Sequence, residues 1–327
     1  MTNTSHRNET EDCITRSSSL VSCSPACFFP SVPGYSLVTV TGILAVAGTL
    51  ANTLVCVTIL RNPSLRKRKN YLILNLAFGD LVLTAFGMPI YAVYTLGEME
   101  RSCVIIISRL KGFNLNISIV VSLLTLCAIS IERLVVIVWP LKYRNIITKQ
   151  RLCVTIALSW IISSIYGIII ATDVHTHSNL VYKVFTLVSF TGMALCYIII
   201  ALCYVIILIK SIRMTYDRRN LAPSHQDNTD RRVALTVALI IGLFTITWIP
   251  FVFFRFFAGN HDKLWFKVSE LLALSSSAFN SIIYFYRAKE YRAALKHLVR
   301  RSPEVHSVSR ENYRRTVEKL ELTNRPI

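Results

Sequence analysis

Seven stretches of about 20 or more mainly apolar positions, each long enough to cross a bilayer core as a helix, recur along the chain and are separated by short polar loops. Residues 36–60 hold no charge, 71–96 hold only Asp80, 104–138 hold Arg109, Lys111, Glu132 and Arg133, and 152–171 are again uncharged. Three further stretches cover 180–209, 233–257 and 264–286. A helix leaves no backbone polar group to hydrocarbon, so the pattern predicts an all-α membrane protein, a seven-transmembrane helix bundle over residues 36–286. Residues 1–35 read as a tail before the bundle and residues 302–327 as a disordered tail after it. Between them, Arg287, Lys289, Tyr291, Arg292, Leu295 and Leu298 predict a short amphipathic helix at 287–301 lying on the membrane surface.

Apolar residues make up 53% of the chain, far more than one soluble core can hide, which agrees with that reading. Lys and Arg near span ends resist translocation. They cluster after the first span (Arg61, Arg66, Lys67, Arg68, Lys69), after the third (Lys142, Arg144, Lys149, Arg151), and around the fifth and sixth (Lys210, Arg213, Arg218, Arg219, Arg231, Arg232). Those loops are expected in the cytosol, with the N-terminus outside the cell and the chain a multi-pass protein of the plasma membrane. The net charge of +18 then sits beside spans and in the C-terminal tail. Anionic membrane lipid is its simplest partner, and no nucleic acid is needed to explain it. Residues 1–33 lack a continuous apolar core, so the first span is expected to direct insertion itself.

Asn3 and Asn8 open glycan acceptor sequons on the outer side, whereas the match at Asn116 falls inside a span, beyond the transferase. Cys13, Cys23, Cys27 and Cys103 fall on the oxidising side and allow two disulfides in three connectivities. A tie from Cys103 to one N-terminal cysteine would clamp the tail over the bundle. Cys56, Cys127, Cys153, Cys196 and Cys203 read as small packing residues.

Charges within spans are expensive and stand out as functional candidates. Asp80 lies mid-span and needs a cation, a proton or hydrogen-bond donors. Asn52, Ser122, Ser276, Ser277 and Asn280 are available to it, either as a helix-packing cluster or, with Asp80, Ser122, Ser276 and Asn280 as ligands, as a sodium site. Adjacent residues do not face each other on a helix, so Glu132 and Arg133 are not expected to pair. Arg133 is expected either to reach Asp230 at the start of the sixth span or to snorkel to lipid headgroups. Pro250 predicts a kink in the sixth span, with Phe244 and Trp248 sharing one face just below it.

These landmarks resemble the rhodopsin-like (class A) G-protein-coupled receptors over nearly all of the chain between the tails. The resemblance rests on Asn52, Leu76, Ala77 and Asp80, on Glu132 and Arg133 with Pro140 and Leu141, and on Trp160 and Tyr204. Phe244, Trp248, Pro250, Asn280 and Tyr284 complete it. It implies a ligand acting from outside on a heterotrimeric G protein, with Arg133 leaving Asp230 and, with Tyr204 and Tyr284, lining the crevice for the G protein, and Leu141 as an apolar contact. Arrestin is a further expected partner at the tail, and Ser302, Ser307, Ser309, Thr316 and Thr323 offer phosphorylation sites there. No catalytic constellation is present, so no enzyme is expected, and no cofactor beyond an allosteric sodium ion. A signalling-silent seven-helix scaffold or decoy is the alternative.

Departures from the family pattern are specific. Ser108 stands where a cysteine usually anchors the outer disulfide, Cys196 stands near the usual proline of the fifth span, and Ser281 replaces the usual proline after Asn280. These features resemble the melanocortin, lysophospholipid and cannabinoid branch. Leu115 occupies the aspartate position of amine receptors, and Leu274 the lysine position of retinal pigments, which disfavours both ligands. The remaining pocket candidates are Tyr91, Lys111, Leu115, Asn116, Ile119, Phe251, Arg255, Phe266 and Glu270. Lys111 and Arg255 suit an anionic lipid or small acid, unless Glu270 neutralises Arg255 in a structural pair.

Overall fold

The computed structural model describes residues 21–22, 30–100, 102–103, 105–173, 180–217, 225–254, 263–287 and 293–295. Seven helical rods make the bundle. They are α1 (Ser31–Arg61), the continuous pair α2 (Arg68–Val82) and α3 (Met88–Met99), α4 (Ile105–Val138), α6 (Lys149–Asp173), α7 (Leu180–Asp217), α8 (His225–Phe253) and α9 (Lys263–Arg287). A one-turn helix, α5 (Tyr143–Ile146), lies between α4 and α6. For orientation, the end of the bundle where α1 starts is termed upper and the end where α1 finishes is termed lower.

Local chemistry sets the helix ends. Pro33 sits in the first turn of α1, where its missing N–H costs nothing. At the other end Pro63 forces Asn62 into extended backbone, and Asn62 closes the helix by donating its side-chain amide to the Thr58 carbonyl at 2.8 Å. The fifth span contains no proline, and α7 runs unbroken for 38 residues, a rod of about 57 Å that outreaches the hydrocarbon core. In α8 the helix continues through Pro250 to Phe253.

One irregularity was not foreseen. Leu83–Gly87 form a π turn between α2 and α3, in which the Met88 N–H donates to the Leu83 carbonyl five residues back. Pro89 follows at once and would clash with a regular preceding turn; the widened turn accommodates its ring. The turn adds one residue to the helical count and so sets the face that α3 presents.

Large apolar side chains such as Ile43, Leu50, Phe86 and Ile246 are more than 60% exposed, while Asn52, Asp80, Ser122, Ser276 and Asn280 are at most 3% exposed. Polar groups inside and apolar groups outside are the arrangement of a chain solvated by lipid. Among the described residues, five of the rods are long and apolar enough to cross a membrane by length and composition, and Ala238–Phe253 in α8 is apolar over a shorter length. Central α4 packs against α2, α3, α6, α7 and α8. Trp160 Nε1 on α6 donates to Asn75 Oδ1 at 2.9 Å, and Asn75 donates to Thr125 on α4 at 2.8 Å, which joins α2, α4 and α6 by one polar thread. Gly48 lets α1 approach the π turn closely, since a Cβ there would stand 2.5 Å from Thr84 Cγ2.

Above the bundle, Val21–Ser22 (β1) pairs antiparallel with Ser102–Cys103 (β2), with Val21 opposite Cys103. The N-terminal segment therefore touches the loop between α3 and α4 through its backbone. Cys13, Cys23, Cys27 and the sequons at Asn3 and Asn8 lie outside the described residues, as does the side chain of Cys103. Cys56, Cys127, Cys153, Cys196 and Cys203 are free thiols. Of the expected surface helix at 287–301 only the helical residues 293–295 are described past Arg287, with Ala294 buried against the main core.

Candidate functional site

Three groups of polar side chains lie inside the bundle, one at each depth. At the upper end, Tyr91, Tyr94 and Glu98 fall at spacings of three and four on α3 and so share a face. Lys267 and Glu270, three apart, do the same on α9, and Lys111 joins them from the first turns of α4. Lys111 Nζ stands 3.2 Å from Glu270 Oε1, and Lys267 pairs with Glu98. The two ammonium groups also share the same rings. Lys111 Nζ lies 4.2 Å and Lys267 Nζ 5.1 Å from the centroid of Tyr94, and both lie under 6 Å from that of Tyr91. The negative ring faces offset part of the repulsion between the two cations. Among the described residues the cluster is neutral, and it is deeply set, with Tyr91 fully buried and Glu270 at 4% exposure.

The Lys111–Glu270 pair was not among the sequence expectations. Glu270 is paired with Lys111 across α9 and α4; the expected pair of Glu270 with Arg255 falls on a residue outside the described ones. The remaining pocket candidates divide by depth. Leu115 packs with Tyr91, Met88 and Leu274 in a cluster beneath the charges. Phe251 links Trp248 to Phe266 by ring contacts of 5.6 and 5.7 Å, carrying an aromatic path from α8 to α9. Asn116 donates to the Gly112 carbonyl of its own helix, and Ile119 packs on the larger core below, so neither is brought to the charge cluster.

At mid-depth, Asn280 Nδ2 donates to Asp80 Oδ2 at 2.9 Å, and Ser122 and Ser277 face the same carboxylate. Asn52 donates to the Ser277 carbonyl at 3.1 Å and accepts from Ser281 Oγ, so the serine in place of a proline links α9 to α1. Ser276 accepts from Trp248 Nε1 at 3.3 Å, which connects the polar centre to the α8 aromatic face. Phe244 and Trp248 lie on that face with ring centroids 5.4 Å apart, both buried. Two acceptor oxygens, Asp80 Oδ1 and Asn280 Oδ1, are buried there without a hydrogen bond. An anionic carboxylate, an amide oxygen and serine hydroxyls are hard oxygen donors, a set that suits a small hard cation.

At the lower end, Arg133 Nη2 pairs with Glu132 Oε2 at 2.6 Å, both side chains 2% exposed. The expectation that neighbouring charges would not pair is overturned. That rule describes where Cβ atoms point, whereas these long side chains bend sideways to meet, and an unpaired charge in this burial would cost several kcal/mol. Tyr143 of α5 donates its hydroxyl to Glu132 Oε1 at 2.9 Å. Burial, followed by the Glu132 carboxylate, pushes the Tyr143 phenol well above its usual pKa, so it remains the donor at physiological pH. Arg68 at the start of α2 holds α5 from the other side by donating to the carbonyls of Arg144 and Ile147 at 2.8 and 2.9 Å. Just before α5, Leu141 is 95% exposed. The Tyr204 hydroxyl on α7 is buried without a hydrogen bond and within electrostatic reach of Arg133. Asp230 and Tyr284 lie on α8 and α9, but their side chains are outside the described residues.

Lys267, Glu98, Tyr94, Tyr143 and Arg68 went unselected from sequence alone. The signal for the first three was the repeated three- and four-residue spacing of charged and aromatic positions near two span ends. For Arg68 and Tyr143 there was none, since both sit in loops already rich in basic and polar residues.

Residues 51–284 match the sequence profile described as 7 transmembrane receptor (rhodopsin family). The chain is 25% identical to the RYamide receptor of Tribolium castaneum over 76% of each chain. It is 24% identical to melanocortin receptor 5 of Pan troglodytes over 78% of this chain and 82% of the relative. With adenosine receptor A3 of Bos taurus it shares 23% identity over 82% of this chain and 90% of the relative. These relatives span several subfamilies at nearly equal identity, so they do not assign the chain to one of them.

Proposed function

The chain belongs to the rhodopsin family of seven-transmembrane receptors, and from that premise we propose that it couples an extracellular ligand at the upper end of the bundle to a heterotrimeric G protein at the lower end, in the plasma membrane. The observation that carries this reading is the sealed ion pair of Arg133 with Glu132, capped by Tyr143 and set beside the unsatisfied Tyr204 hydroxyl. A buried pair with a second hydrogen-bonding group waiting nearby is a two-state element. A ligand that favours the state in which Arg133 moves toward α7 shifts the population and opens the lower face. Leu141, standing free beside a short helix pinned by Arg68, offers the apolar contact for the G protein, and the basic lower loops attract it and anionic lipid.

At the upper end, Lys111 is the cation that an acidic group on the ligand would meet, in exchange for Glu270. A small acid or an acidic lipid fits that role. In the middle, Asp80, Asn280 and Ser122, with Ser277 rather than the expected Ser276 at the carboxylate, would hold a sodium ion, which would supply positive charge to the two unsatisfied oxygens and restrain α2 against α9.

The test is G-protein activation in intact cells, measured without ligand and with a library of acids and acidic lipids, for the wild type and Arg133→Ala. Activation that disappears in Arg133→Ala is expected. Silence of the wild type under all conditions, with surface expression confirmed, would return the reading to a signalling-silent scaffold.

A further inference from the structure

The upper cluster joins Lys111, Glu270, Lys267, Glu98, Tyr91 and Tyr94 into a set whose charges cancel, two cations against two carboxylates. A ligand carrying only an acid could take Lys111 only by stripping it from Glu270, which would leave a carboxylate 4% exposed without a counter-charge. Burial makes such a bare charge costly, enough to cancel what the new contact gains. A ligand carrying only an amine meets the mirror problem at Lys111. The cost falls away when one molecule brings both charges, because each partner it separates is paired again.

Glu270 carries the second observation. Its Oε1 meets Lys111 at 3.2 Å, while Oε2 is buried without a hydrogen bond. The Tyr91 hydroxyl lies against that carboxylate and is shared with the Lys267 carbonyl at 3.4 Å. A buried carboxylate oxygen in want of a donor, next to aromatic ring faces, is what an ammonium group seeks.

We infer that the ligand is zwitterionic: its ammonium binds Glu270 Oε2 against the Tyr91 and Tyr94 rings, and its acidic group takes Lys111. The Lys267–Glu98 pair stays closed and holds α9 to α3 as the wall of the site. This inference rests on the receptor reading and narrows its acidic ligand to one that also bears an amine. Both a free amino acid and a single-chain lipid with an amine and a phosphate have this chemistry.

The experiment uses the full-length receptor in nanodiscs and follows the shift of its thermal unfolding midpoint, alongside G-protein activation in cells. Two probe series are compared, one of amino acids and one of single-chain amine phosphates, each with its matched acid-only and amine-only analogues. The zwitterion of one series is expected to raise the midpoint of the wild type, and its acid-only analogue to bind at least about tenfold more weakly. In Glu270→Gln the order is expected to reverse, since the neutral amide needs no counter-charge. Should that variant fail to fold, the exchange Lys111→Glu with Glu270→Lys keeps the pair and is expected to retain zwitterion binding. An acid-only analogue that binds the wild type as well as the zwitterion does, or no binding by either zwitterion series at millimolar concentration, overturns the inference. Zwitterion binding without any Arg133-dependent G-protein activation would keep this site and remove the coupling reading, so the two failures are separable.

Discussion

Gly48→Ala is expected to destabilise the receptor, and Thr84→Ser is expected to restore about half of the loss. A Cβ at position 48 would stand 2.5 Å from Thr84 Cγ2, 3.2 Å from Thr84 Cβ and 3.3 Å from Ala278 Cβ. The first contact is nearer than real Cβ atoms come, and it involves a β-branched side chain held by the hydrogen bond of its Oγ1 to the Asp80 carbonyl at 2.9 Å. Thr84 therefore has no easy rotamer to move into, and the strain falls on the α1 contact with the π turn. Overpacking of this kind costs about 1–3 kcal/mol. Serine at 84 removes the clashing methyl but keeps the hydroxyl bond. In that background the same alanine meets only the two contacts beyond 3 Å, and its cost is expected to fall by about half, a coupling of about 1 kcal/mol. Gly42→Ala supplies the control on the same helix. Nothing lies within 4 Å of its added Cβ, and helix propensity alone predicts no loss, or a gain of up to about 1 kcal/mol. Unfolding midpoints of the four variants in detergent, read against wild type, test the set. Equal cost of Gly48→Ala with threonine or serine at 84, or no cost at all, would refute the close approach of α1 to the π turn.

Tyr143→Phe removes the hydroxyl that caps Glu132; a hydrogen bond to a charged group is worth about 1.5–3 kcal/mol, so basal G-protein activation should rise at least about tenfold in a nucleotide-exchange assay. Arg68→Met cuts both bonds to α5 while keeping an apolar stem, and is expected to lower the maximal coupling response with ligand affinity changed by less than about twofold, measured by paired binding and exchange assays. Asp80→Asn leaves the fold in place but removes the charge that faces Asn280; thermal stability of the wild type should rise with sodium over potassium, and that difference should vanish in the variant.

What could be read from the chain alone follows the strength of the physical signal. An aspartate in an otherwise apolar span has few ways to be satisfied, so Asp80 and its donor Asn280 were identifiable without coordinates. The missing proline of the fifth span was visible as a departure from the family pattern, and α7 is an uninterrupted rod there. The partner of Glu270 was not legible, because it depends on the rotation of α9 about its axis, and helix rotation is set by packing over the whole rod rather than by the residue itself. The Glu132–Arg133 pair was excluded by a rule for backbone directions that long, buried side chains escape. Asn75 carries the thread from Trp160 to Thr125, yet one more amide in a polar-tolerant span gives no hint of its two partners.

The π turn at Leu83–Gly87 separates two jobs on one rod. Below it, Asp80 faces the polar centre; above it, Tyr91, Tyr94 and Glu98 face the charge cluster. One residue corresponds to about 100° of helix rotation, so deleting a single residue from this turn would leave Asp80 where it is and swing the upper three toward lipid. A single insertion or deletion thus becomes a means of change that side-chain substitution does not offer. The upper face of the rod can be rewritten while the polar centre and the lower end keep their register.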